Sequence, residues 1–234
     1  MNDPLTTPST TASSLSDRSG VTDAVRVQIL ATEHWSLLAT RGMTWNEVFS
    51  RASMFVTVLS AAVVAIALVA QATAFGPHFR LFALLVLPVV LLVGVATVIR
   101  LGDANTEDFG LVVGMNRLRH AYLDLAPELE PYFVTAWHDD EASLMQTYRM
   151  WYRPGLGLGR ILAGTPTVVG AINVVVAGVL AALIATTLGA TDAVTVVVGI
   201  VAALVAASVF GVLAFRSITG ARREYRPRFP RSSE

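Results

Sequence analysis

Four stretches of the chain are apolar without interruption: Ala52–Phe75, Leu81–Ile99, Thr165–Leu188 and Ala193–Phe215 contain no ionisable side chain. Each approaches the roughly 20 residues that carry a helix across a hydrocarbon core about 30 Å thick. A helix of that length in a water-soluble core keeps a polar stripe, and these keep none. The pattern predicts an all-α, polytopic membrane protein with four transmembrane helices. They form two short hairpins, because only Gly76–Arg80 and Gly189–Asp192 separate the members of each pair. The hairpins share a topology, but their residues do not align as a repeat.

Outside the spans the period changes. Val27, Leu30, His34, Leu37 and Leu38 recur at helical spacing from Thr22 to about Thr40, where Gly42 is expected to end a first helix. Thr44 and Glu47 have the spacing of a capping box and predict a second helix running into the first span. Trp45 and Phe49 would then sit at headgroup depth. After the second span, Leu111, Met115, Leu118, Tyr122 and Leu125 form a stripe that predicts a helix through Ala126, broken by Pro127 and Pro131. A further helix is expected from Asp139 to Tyr152, with Leu144, Tyr148 and Trp151 on one side. These stripes need partners: each other, the bilayer surface or another subunit.

The segments are thus a disordered tail rich in Ser, Thr and Pro (1–20), cytosolic helices leading into the membrane (21–51), a first hairpin (52–99) and a cytosolic helical loop (100–163). A second hairpin (164–215) and a basic cytosolic tail (216–234) follow. Residues 1–20 lack the basic and apolar regions of a signal peptide, so the first span is expected to direct insertion.

Composition agrees: 54% of residues are hydrophobic, 15% are charged and the mean hydropathy is +0.60. All 17 basic residues are Arg, and 16 of them flank the spans on one side, with Arg80 alone on the other. Positive charge stays inside, so both termini are expected in the cytoplasm of a bacterium, with the spans in its inner membrane. Cysteine is absent, which excludes disulfides, thiolate metal sites and cysteine nucleophiles.

The spans offer faces for close packing. Gly199, Ala203, Ala207 and Gly211 form a ridge of small residues on the last span, where two backbones can approach. Ser53, Thr57, Ala61 and Ala65 match it on the first span, and Asn173, Ala177, Ala181 and Ala185 on the third. These faces predict packing within the chain or a homo-oligomer. The second span is bulkier, rich in Leu and Val, and Pro88 is expected to kink it; lipid contact suits it best. Gln71 and Asn173 are the strongly polar residues within the spans; Asn173 is expected to bond across helices.

Chemistry is sparse. Proton and ion pumps place ionisable groups at depth, and none is there. A pore lined by Ser53, Thr57 and Ser60, or by Thr186 and Thr187, would need several subunits around an axis. His138-Asp139-Asp140-Glu141, near His120 and Asp124, points its side chains in different directions and reads as a solvated helix start. The glycine-rich run 154–160 lacks the Lys-Ser/Thr of a phosphate loop and reads as a link. No catalytic constellation, cofactor site or metal site emerges. Arg222, Arg223, Arg226 and Arg228, just past the last span, are candidate contacts for anionic lipid. The tail carries a net +4 and the central loop a net −3, so the two could pair. The reading is a non-enzymatic membrane scaffold or effector that contacts lipid, itself and a cytosolic protein rather than nucleic acid. An oligomeric channel is the alternative, and an enzyme or carrier is the third.

Overall fold

The computed structural model describes residues 20–149 and 164–231, with backbone alone at 149 and 217–224. The described chain is helical: α1 (Asp23–Thr73), α2 (Pro77–Leu125), a 3-10 turn (Pro127–Tyr132), α3 (Glu141–Arg149), α4 (Thr165–Thr187) and α5 (Asp192–Glu224). Four of these helices are long and apolar enough to cross a membrane, so the chain is a four-span all-α membrane protein. Residues 1–19 of the expected tail, the glycine-rich run 154–160, and Trp151 and Tyr152 lie outside the described residues.

α1 and α2 form an antiparallel pair of about 75 Å each, at 1.5 Å per residue. The apolar segments occupy only one end of it. Residues 23–51 and 100–125 project some 40 Å beyond, as a stalk on the arginine-rich side. Buried positions on α2 run Val90, Gly94, Thr97, Leu101, Ala104, Asp108, Val112 and Met115, mostly alternating steps of four and three. That spacing keeps one seam turned to a partner helix, as in a coiled coil. The α1 partners Thr44, Val48, Phe55 and Ala62 fall four and seven residues apart.

The expected break near Gly42 is absent, because α1 is continuous. Its capping box is not used: Thr44 donates its hydroxyl to Thr40 O one turn back at 3.1 Å, and Glu47 binds arginines instead. Gly42 meets no neighbour that would force a turn there. The helical continuation of α2 to Leu125 is as expected, and so is the start of α3 near Asp139.

The second span does not face lipid as expected. α2 is the central helix and packs on α1, α4 and α5, while the window Asp192–Arg216 of α5 has no buried residue. The small positions Ala83, Gly94 and Thr97 on its contact face, not its bulky Leu residues, decide this. The seam of α1 also lies beside the expected face: Ala62 and Ala70 are buried, Ala61 is exposed and Ala65 half-buried.

Gly178 on α4 lies against Gly199 and Ala203 of α5, where a Cβ at 178 would come within 3.0 Å of Gly199 O. The half of the α5 ridge nearer the α4–α5 turn therefore packs inside the chain. Ala207 is exposed, and a Cβ at Gly211 would meet nothing within 4 Å. Ala177 is half-buried, Ala181 likewise, and Ala185 is buried on α4. Asn173 is fully buried against Gly94 but does not bond across helices as expected. Its Nδ2 donates to Val169 O of its own helix at 2.8 Å, and its Oδ1 has no partner. Gly189 (φ 82°) ends α4, with Gly189 N–H donating to Thr186 O and Ala190 N–H to Ala185 O, which closes the α4–α5 turn.

Candidate functional site

The chemistry of the chain is gathered where the stalk leaves the membrane. At the boundary itself, Arg100 of α2 grips Glu47 of α1 through Nη2 at 2.8 Å and Nε at 3.1 Å, and donates from Nη1 to Glu107 at 2.7 Å. Arg51 adds a bond to Glu47 at 2.8 Å. Arg100, then Arg51, hold the Glu47 carboxyl down to about 2. The cluster fixes the axial register of α1 against α2.

About two turns further along α2 lies a carboxylate that no local pattern marked. Asp108 is 3% exposed and accepts from three side chains on two elements. Arg41 Nε donates to Oδ1 at 2.6 Å, Trp45 Nε1 to the same oxygen at 2.9 Å, and the Tyr148 hydroxyl to Oδ2 at 2.8 Å. Trp45, expected as a headgroup anchor, thus ties α1 to α2, and Phe49 remains exposed beside it. Burial, then the Asp108 charge, pushes the Tyr148 phenol far up, so it stays a donor.

Below this layer the stalk closes on α3. Val112, Val113, Met115 and Leu144 form a core, with Leu37, Phe109, Tyr148 and Tyr225 packed against it. The helices on this side therefore find partners in one another. Gly114 lets Leu37 approach, and His34 lies 6.0 Å from Tyr122 of the expected stripe. Burial, then the Arg119 charge, lowers the His34 pKa, which keeps the ring neutral.

The run at 138–141 starts α3 as expected, with Glu141 exposed, but it is not solvated throughout. Asp140 does cap α3, accepting Ser143 N–H at 2.9 Å. Asp139, however, is fully buried and accepts the backbone N–H groups of Arg228 and Phe229 at 2.9 and 2.8 Å, with Arg117 Nε at 2.8 Å. The Tyr225 hydroxyl donates to Asp139 O, and Asp139 N–H donates to Phe229 O. Burial alone would raise the Asp139 pKa; the amides of Arg228 and Phe229 and the Arg117 guanidinium outweigh it and hold the carboxyl below its usual range. Arg231 reaches Ser143 and Gln146. The expected pairing of acidic loop and basic tail is realised, chiefly through backbone amides rather than arginine charges. Three aromatic groups, His120, His138 and Phe229, close over the junction, with His120 and Phe229 centroids 4.6 Å apart.

Arg226 and Arg228 lie on this clamped segment; the side chains of Arg222 and Arg223 lie outside the described residues. Among the described residues no group of three His, Asp or Glu side chains is placed to hold a metal ion. No protein-family model, curated protein or solved structure matches the chain.

Proposed function

We propose that this chain is a non-enzymatic membrane scaffold that self-associates through its last span and presents the α1–α2 stalk to a cytoplasmic protein partner. In this reading the membrane is a bacterial inner membrane and both termini face the cytoplasm. The observation that carries it is the stalk. Two helices leave the bilayer unbroken, and the buried acids at their exit bind α1, α2, α3 and the tail to one another. A rod braced in this way positions whatever docks along it.

Self-association is supported by the unused half of the α5 ridge, Ala207 and Gly211, where a second backbone has room to approach. Native mass spectrometry of the purified chain in mild detergent tests this. An oligomer is expected, and Ala207→Ile with Gly211→Ile should return it to the monomer. A monomer for the unaltered chain overturns the self-association. Orientation is tested separately by impermeant labelling of Val134→Cys, a well-exposed position; labelling from outside the cell refutes it.

An oligomeric channel is the second reading, favoured by one observation. Ser53, Thr57 and Ser60 are exposed on the side of α1 opposite its buried seam, as lining a subunit axis would require. Ion flux in liposomes that Thr57→Leu abolishes would replace the scaffold by the channel.

A further inference from the structure

Thr106, Phe109, Val113 and Arg117 follow at three- and four-residue steps, with Gly110 beside Phe109 and three residues before Val113, and form one face of α2 beyond the membrane. Tyr225, Arg226 and Arg228 of the clamped C-terminal segment lie across that face. Between them is a cleft of about 610 Å³. Its floor is apolar, with Phe109 and Val113, and one wall is the Tyr225 ring, set edge-on to Phe109 at 5.6 Å. Among the described residues that line it none is acidic, while three are arginines. Arg117 is matched by Asp139. Arg226 and Arg228 have no acidic partner among the described residues, and the buried bonds to the Arg228 and Phe229 amides hold them at the rim.

Two arginines at the rim of an apolar floor, neither with an acidic partner among the described residues, suit an anion that is presented on a larger molecule. A guanidinium forms paired, charge-assisted hydrogen bonds to phosphate oxygens, which makes phosphate the matching group. Thr106 lies seven residues, or about 10 Å, past Ile99, so the upper rim borders the headgroup zone and the remainder is in water. We propose that this cleft is a binding site for a phosphate group, gripped by Arg226 and Arg228 and backed by Arg117. Both an anionic lipid head group and a phosphate from solution can reach it.

The test separates the cleft from the general attraction of a basic tail. A Cβ at Gly110 would meet nothing within 4 Å, so Gly110→Leu fills the cleft without removing a charge or breaking the helix. Full-length chain is placed in nanodiscs of phosphatidylcholine, with or without phosphatidylglycerol. Native mass spectrometry then counts retained phosphatidylglycerol, and calorimetry follows titration of inorganic phosphate into the phosphatidylcholine discs. Arg226→Gln with Arg228→Gln should weaken binding roughly 25-fold, about fivefold per arginine. Gly110→Leu should abolish it. Retained phosphatidylglycerol lost in Gly110→Leu identifies a lipid head group; phosphate binding lost in Gly110→Leu identifies a soluble ligand. Absence of both kinds of binding, or binding indifferent to Gly110→Leu, overturns the site.

Discussion

Tyr148→Phe removes one hydroxyl, the one that α3 donates to the buried Asp108 at 2.8 Å. A hydrogen bond to a charged acceptor contributes about 1.5–3 kcal/mol, and Asp108 keeps its bonds to Arg41 and Trp45. α3 has only nine residues, held otherwise by Leu144 in the core and by Arg231 at its edge. Its opening free energy should therefore fall by about 2 kcal/mol, or roughly 30-fold in amide protection at 1.4 kcal/mol per tenfold. Hydrogen exchange followed by mass spectrometry on the peptide covering 141–149, in detergent micelles, reads this directly. Asp108→Ala should cost more, about 3–5 kcal/mol, because it also strips Trp45 and Arg41 of their acceptor. Arg41 contributes little of that, since its side chain is 32% exposed and its ion pair is screened to about 1 kcal/mol or less. The two substitutions delete the same bond, so the double variant should fall short of additivity by about 2 kcal/mol. Full additivity, or protection of α3 within about threefold of the unaltered chain in Tyr148→Phe, would refute the account of Asp108 as the brace of the stalk.

Gly94→Ala should lower the melting temperature in detergent, at a cost of about 1–3 kcal/mol, because the new Cβ would lie 2.0 Å from Asn173 Oδ1; adding Asn173→Ala should restore most of it. Asp139 titrates below its ordinary value in the folded chain, so its stabilisation is complete above the unfolded value of about 3.9 and is lost as pH falls through the folded one. Amide exchange at Phe229 should stay slow at neutral pH, accelerate only in that acid range, and be fast at neutral pH in Asp139→Asn. Tyr225, pushed up to about 12 by burial and then by Asp139, should show no phenolate absorbance near pH 10, where a free tyrosine ionises; the tail should let go between these values. His34 is favoured neutral, so its contribution is complete above the unfolded value of about 6.5 and fades as pH falls through its lower folded one. A melting temperature that falls with acidification in this window, and falls less in His34→Leu, is the expected result.

The spans and the reach of α2 were legible because long uninterrupted apolarity and a sustained stripe each have one physical reading. Local signals failed where distant ones overrode them. Thr44 and Glu47 have cap spacing, but a seam that continues from Leu37 through Val48 to Phe55 favours unbroken helix, and Arg100 is 53 residues from the Glu47 it claims. The second span's Leu residues suggested lipid contact, yet one glycine facing Asn173 reports its central place better than its average bulk does. Asp108 gave no warning, because its donors stand 40 to 67 residues away and only the folded pair brings them to it. The charge imbalance between loop and tail did point to their contact. It could not reveal that backbone amides make the contact, since amides are the same in every sequence.

The unbroken α1–α2 pair has a mechanical consequence. No hinge separates the membrane segment from the stalk, so the pair turns as one lever about the bilayer. Spans adjust to a thinner or thicker membrane by tilting. A tilt of about 10° would sweep the end of an arm of about 40 Å sideways by roughly 7 Å, more than a full helical turn is tall. Bilayer thickness is thereby converted into lateral position at the stalk tip, with no rearrangement inside the protein.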